Sequence, residues 1–192
     1  MVGKLNNPIK VGNREPSGAN ARLAIAFPPT VIVRDSRENP KKCTIVPLRG
    51  RPDLVFLSYP AKLQNVSNET ESRTSDFGFR ISDLKGYVRL APEGPELSLG
   101  DARSGLLLLD GSWRRADVMI RTYQHIPPRS LTGYRTAYPR VSKKGTDPAN
   151  GLATVEALFL AYHILRRPTA GLLDHYRWKD EFLLLNNLLV SE

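Results

Sequence analysis

An α/β fold built on a largely parallel sheet is predicted by three features of the chain. Short apolar runs alternate with helix-period stretches in its second half. Four consecutive leucines, 106–109, end at Asp110 and Gly111, the pattern of a strand buried on both faces. The length of 192 residues, 41% of them hydrophobic, suffices for one compact domain or two small ones sharing a core.

Residues 1–20, rich in Gly, Asn, Pro and Lys, read as a flexible tail. Structure is expected from about Arg22, with L-A-I-A-F (23–27), T-V-I-V (30–33) and D-L-V-F-L-S-Y (53–59) as strands of a small sheet. The polar stretch 62–76 reads as a surface loop, and its Asn65 and Asn68 sequons as loop composition. The leucine run then supplies a buried strand whose carboxyl end, at Asp110, marks a crevice where open α/β sheets bind ligands. Ser112 is placed as the N-cap of a helix over 113–125, whose positions Ala116, Met119, Ile120 and Tyr123 share a face and which Pro127 and Pro128 end. A strand over 134–138, a basic loop over 139–151, a helix from about Leu152 to Arg166 and one or two further helices complete the chain. A division near residue 100 separates an N-terminal α/β region, 21–100, from a cofactor-binding region, 101–192.

Lys and Arg number 28 against 19 Asp and Glu, giving a formal charge of +9 and a pI near 9.9. A surface this basic suits a polyanionic partner such as a nucleic acid. Cys43 is the single cysteine, which excludes an intramolecular disulfide, and the three histidines, at 125, 163 and 175, show no zinc spacing. No metal, signal peptide or membrane span is expected, and the predicted location is the cytoplasm.

Three separated stretches resemble the ribosomal RNA aminocarboxypropyltransferases of ribosome biogenesis, a branch related to the DTW-domain transfer RNA uridine aminocarboxypropyltransferases. They are D-S-R-E-N-P-K-K-C-T (35–44), L-A-P-E (90–93) followed by L-L-L-L-D-G-S-W (106–113), and G-L-A-T-V-E-A-L (151–158), backed by Y-R-W-K-D-E-F-L-L-L-N-N-L-L (176–189). Ala153 stands where the family carries Ser, and Y-P-R-V-S-K-K-G-T-D-P-A-N-G (138–151) replaces its Asn-Pro-Val-Asn-Tyr-Gly stretch, which leaves the target open between ribosomal and transfer RNA.

The resemblance implies a SPOUT-like C-terminal part threaded through a trefoil knot, with S-adenosylmethionine held in the knot loops. It further implies that Asp110, Trp113 and Thr154 line the cofactor, that Thr44 meets its methionine end, and that Leu131 and Asn150 contact the adenine through their backbones. The expected reaction transfers the 3-amino-3-carboxypropyl group to a uridine or modified uridine. Asp110 is the expected base for the N3 proton, with an aromatic wall at Trp113 keeping the methyl out of reach. RNA contacts are expected from Arg114, Arg115, Arg140, Lys143, Lys144, Arg177 and Lys179 around the crevice. Each residue also has a plainer reading: Asp110 and Ser112 as helix caps, Trp113 and Thr154 as packing, the basic residues as a solvated face. Methyl transfer by a SPOUT-type enzyme, or RNA binding without catalysis by an assembly factor, are the alternative functions.

Overall fold

The computed structural model of the chain describes residues 27–60, 81–139 and 151–188. Five parallel strands form one sheet in the order β2-β1-β4-β3-β5: β1 (Thr30–Asp35), β2 (Leu54–Tyr59), β3 (Tyr87–Leu90), β4 (Gly105–Asp110) and β5 (Pro128–Arg129). The parallel expectation is met. Every residue of β1 is buried and β4 is nearly so, as required of strands covered on both faces. The division expected near residue 100 falls between β3 and β4, which are hydrogen-bonded neighbours in this sheet.

Among the described residues three α-helices cover the sheet: α1 (Trp113–Thr122), α2 (Thr154–Ile164) and α3 (Lys179–Leu185). Met119 of α1 packs with Tyr123 on Val31, Val33 and Leu107 on one face. On the other face Leu158, Ala161 and Tyr162 of α2 and Phe182 of α3 meet Ile32, Leu106 and Leu108. The result is a three-layer sandwich with alternate strand residues feeding opposite cores. Gly105 is fixed by a close approach, since a Cβ there would stand 2.4 Å from the Tyr87 ring. No helix among the described residues is long and apolar enough to cross a membrane.

Several local expectations require correction. α1 ends at Thr122 rather than at the prolines, because Tyr123 caps it through bonds from its N–H to Met119 and Ile120 carbonyls. Pro128 instead opens β5, where a first-position proline forfeits no ladder bond. Ser112 stands at the N-cap but its hydroxyl makes no capping bond; its backbone N–H donates to Glu38 Oε1 at 2.8 Å. Residues 134–138 are not a strand. Their backbone groups go to side chains instead: the Ala137 N–H to Glu156, the Arg135 N–H to Asn186, and the Arg135 carbonyl to the Asn186 amide. The tail and the 62–76 loop lie outside the described residues, as does the 23–27 strand apart from Phe27.

Burial of three tyrosines sets an alkaline limit. The Tyr87 and Tyr123 hydroxyls are pushed up to about 12 by desolvation, and Tyr162 is raised by the same cause. In the unfolded chain tyrosine ionises near pH 10. Above that value the unfolded state loses protons that the folded state retains, so stability present below pH ~10 drains away as pH rises towards 12. Melting temperature should therefore fall steadily across this window, and Tyr123→Phe should make the fall shallower; equal slopes would refute the assignment.

Candidate functional site

The carboxyl ends of β1 and β4 lie side by side, with Arg34 opposite Asp110 in the register. Asp110, 6% exposed, is held by three elements. Thr154, the first residue of α2, donates its hydroxyl to Oδ1 at 2.6 Å. Cys43, on the loop after β1, donates its thiol to Oδ2 at 3.0 Å, and Arg34 Nε stands 3.5 Å from the same oxygen. Burial pushes the Cys43 thiol up, and the Asp110 charge adds to the shift. The neighbouring Thr44 accepts the N–H of Val155 at 3.4 Å, leaving its own hydroxyl proton to donate elsewhere.

A second network fixes the start of α2. Glu156 is fully buried and accepts the Ala153 N–H and the Thr136 hydroxyl on one oxygen, and the Ala137 N–H and the Tyr176 hydroxyl on the other, all within 2.6 to 2.9 Å. It clamps residues 136–137 to α2. The Tyr138 ring meets Trp178 edge-on at 5.0 Å and continues the clamp.

Between these networks and α1 opens a cleft of about 180 Å³ at the carboxyl ends of β3 and β4. Its walls are mostly apolar, among them Leu90, Leu109, Ile120, Leu131 and Leu152, with Arg89, Thr132 and Thr154 among the polar members. A cavity of roughly 150 Å³ already admits benzene, so this one has room for a planar ring. Gly133 turns the chain at φ +83° in the wall, a conformation that side chains resist.

Of the residues expected to form the site, Asp110, Thr154 and Thr44 come together around the start of α2, and Leu131 lines the cleft. The Trp113 backbone opens α1 at the end of the loop after β4. Asn150, Arg140, Lys143 and Lys144 lie outside the described residues. Arg114 is exposed, whereas Arg115 pairs with buried Asp35 at 3.1 Å. Arg177 lies over the Trp178 ring, and Lys179 is 3.7 Å from Asp174. Sequence reading missed Arg34, Arg89 and Glu156. For the arginines the available signal was a cation inside a β-branched or apolar run, V-I-V-R-D and Y-V-R-L. For Glu156 it was the N3 position of a helix, where a carboxylate reaches back to the first free N–H groups. Among the described residues no cluster of acidic, His and Cys side chains could hold a metal.

No family model matches the chain. It is 24% identical over 169 residues, 87% of each chain, to the 16S rRNA aminocarboxypropyltransferase of Methanocaldococcus jannaschii. Its structure superposes on that of the SAM-dependent rRNA:acp-transferase Tsr3 from Vulcanisaeta distributa with a TM-score of 0.54 and 21% identity, covering 83% of this chain and 79% of the other. In sequence and in fold, over most of its length, the chain is similar to the ribosomal RNA aminocarboxypropyltransferases that its motifs resemble.

Proposed function

We propose that the chain transfers the 3-amino-3-carboxypropyl group of S-adenosylmethionine to a uridine or modified uridine of ribosomal RNA and releases methylthioadenosine. The carrying observation is an apolar cleft beside a buried carboxylate at the strand ends, in a chain similar along 87% of its length to a named 16S rRNA enzyme. Both relatives are described as acting on ribosomal RNA, which favours that target over transfer RNA.

The residues present fit the donor. The leucine-lined cleft suits the faces of an adenine, with Leu131 offering a backbone group to its edge; a backbone contact from Asn150, outside the described residues, is assigned by the resemblance alone. Asp110 places a fixed negative charge where a sulfonium and an ammonium are to be received. Thr44, its hydroxyl oriented by the Val155 N–H, donates to the methionine carboxylate, and Thr154 lies between Asp110 and the cleft. When bound, S-adenosylmethionine supplies an electrophilic methionine Cγ. Trp113 is assigned to bar the methyl group, since orientation alone selects which carbon meets the nucleophile. Both Asp110 oxygens are already engaged. Its proposed role is therefore the fixed charge, and removing the N3 proton would require it to give up a partner.

The knotted SPOUT-like path belongs to the same proposal, supported by a cleft whose walls at 131–134 and 151–152 are irregular segments rather than regular elements. RNA contact is assigned to Arg114 and Arg115 in the first turn of α1, to Arg140, Lys143 and Lys144 of the basic sequence stretch, and to Arg177 and Lys179 farther along the chain. The deciding experiment incubates the protein and ribosomal RNA with S-adenosylmethionine labelled either in the carboxyl or in the methyl group. Carboxyl label in the RNA, with methylthioadenosine released, is expected. Methyl label in the RNA would identify a methyltransferase, and RNA binding with neither label an assembly factor.

A further inference from the structure

Arg89 occupies β3 between Leu107 of β4 and Pro128 of β5. It is 7% exposed, its Nε meets no hydrogen-bond partner, and no carboxylate among the described residues pairs with it. Burial also pulls its pKa down. The terminal nitrogens of the guanidinium are not sealed in with Nε, so a cation that the fold leaves without a partner is placed to meet a ligand acceptor from the cleft it lines. Arg89 lines the cleft together with Leu109, Ala116 and Ile120, on the face of the sheet that α1 covers.

Resting on the reading of this cleft as the S-adenosylmethionine site, we propose that Arg89 is a cofactor-recognition residue whose guanidinium donates to the ring nitrogens of the adenine. Arg89 repels the sulfonium and the amine and favours an acceptor edge. Arg89 also lies deeper: it pairs with Leu107, and Asp110 is three residues farther along β4, about 10 Å at strand spacing. Transfer to RNA requires the methionine arm to face the solvent side, so the adenine points inward, towards the guanidinium. Adenine offers only acceptors at N1, N3 and N7, which match the donors of a guanidinium, while the neighbouring leucines cover its faces. The opposite pose, with the methionine carboxylate at Arg89, would bury the reactive arm beneath α1.

Methylthioadenosine separates these poses because it keeps the adenine and ribose but lacks the amino-acid arm and its charges. Calorimetry of both ligands on the parent, Arg89→Met and Arg89→Lys is the test, with thermal melting of the ligand-free proteins alongside. Arg89→Met should weaken both ligands equally, by about 10- to 100-fold, the scale of a charged hydrogen bond. Its ligand-free melting temperature should stay level or rise, since a stranded charge is removed. Arg89→Lys, which keeps the charge without the fork, should lie between. Unchanged methylthioadenosine affinity in Arg89→Met overturns the proposal, and if S-adenosylmethionine alone is weakened the guanidinium holds the carboxylate. A collapse of melting temperature in both variants overturns it in favour of a scaffold role. A parent protein that binds neither ligand refutes the cofactor-site reading itself, and this inference falls with it.

Discussion

Glu156→Ala should destabilise the protein by about 4 kcal/mol, the largest loss expected from any single side chain in the site. Four donors lose their acceptor at once: the Ala153 and Ala137 N–H groups and the Thr136 and Tyr176 hydroxyls. The hydroxyls can rotate towards other acceptors, but the two backbone groups cannot, and an unpaired buried donor costs about 1 to 3 kcal/mol. Glu156→Gln keeps the shape and one acceptor oxygen while turning an NH₂ towards the other pair of donors, so it should cost about half as much. Urea denaturation of the three proteins should give the order parent, Gln, Ala. A loss under 1 kcal/mol in the alanine variant would mean that the network contributes little to holding residues 136–137 on α2.

Asp110→Asn should lower stability by about 3 kcal/mol and slow product formation by about 100-fold. The side chains of Asp110 and Arg34 are 9% and 8% exposed, so neutralising the carboxylate strands a buried guanidinium. The amide can still accept the Thr154 hydroxyl, which is why the fold should survive. A cycle with Arg34→Met makes the cause visible: the double variant should recover part of the loss, because no unpaired charge remains. Single-turnover assays with saturating donor and RNA, on protein shown to be folded, separate the functional roles. Lost donor affinity in step with lost turnover points to the fixed negative charge, whereas retained affinity with lost turnover points to proton removal. Activity within a few-fold of the parent would reduce Asp110 to a structural anchor.

The parts of the fold readable in the sequence were those whose signal is local. β1, β2 and β4 are continuous apolar runs, and α1 and α2 carry apolar residues at helical spacing. β3 and β5 were not readable, being four and two residues long and carrying an arginine each. They exist because β4 offers an edge and β3 another. Asp110 was legible through a strand-end rule, and its company with Thr154 at the start of α2 through a resemblance. Arg34, Arg89 and Glu156 look like surface residues until the layers on either side of them are in place. The mistaken strand at 134–138 has the same origin, since nothing nearby announces that distant Glu156 and Asn186 will take its backbone groups.

The strand order carries a consequence for biosynthesis. β1 has β2 on one side, made shortly after it, but on the other side Val31 pairs with Leu107 and Arg34 with Asp110. While the chain is being made, an apolar strand edge and a cation that lacks its buried carboxylate must wait until β4 leaves the ribosome. Contacts of this range make closure of the sheet slow relative to helix formation. The same pairing forms the core and the candidate site, so a nascent chain halted before residue 110 has neither, and the stretch from β1 to β4 is where assisted folding matters most.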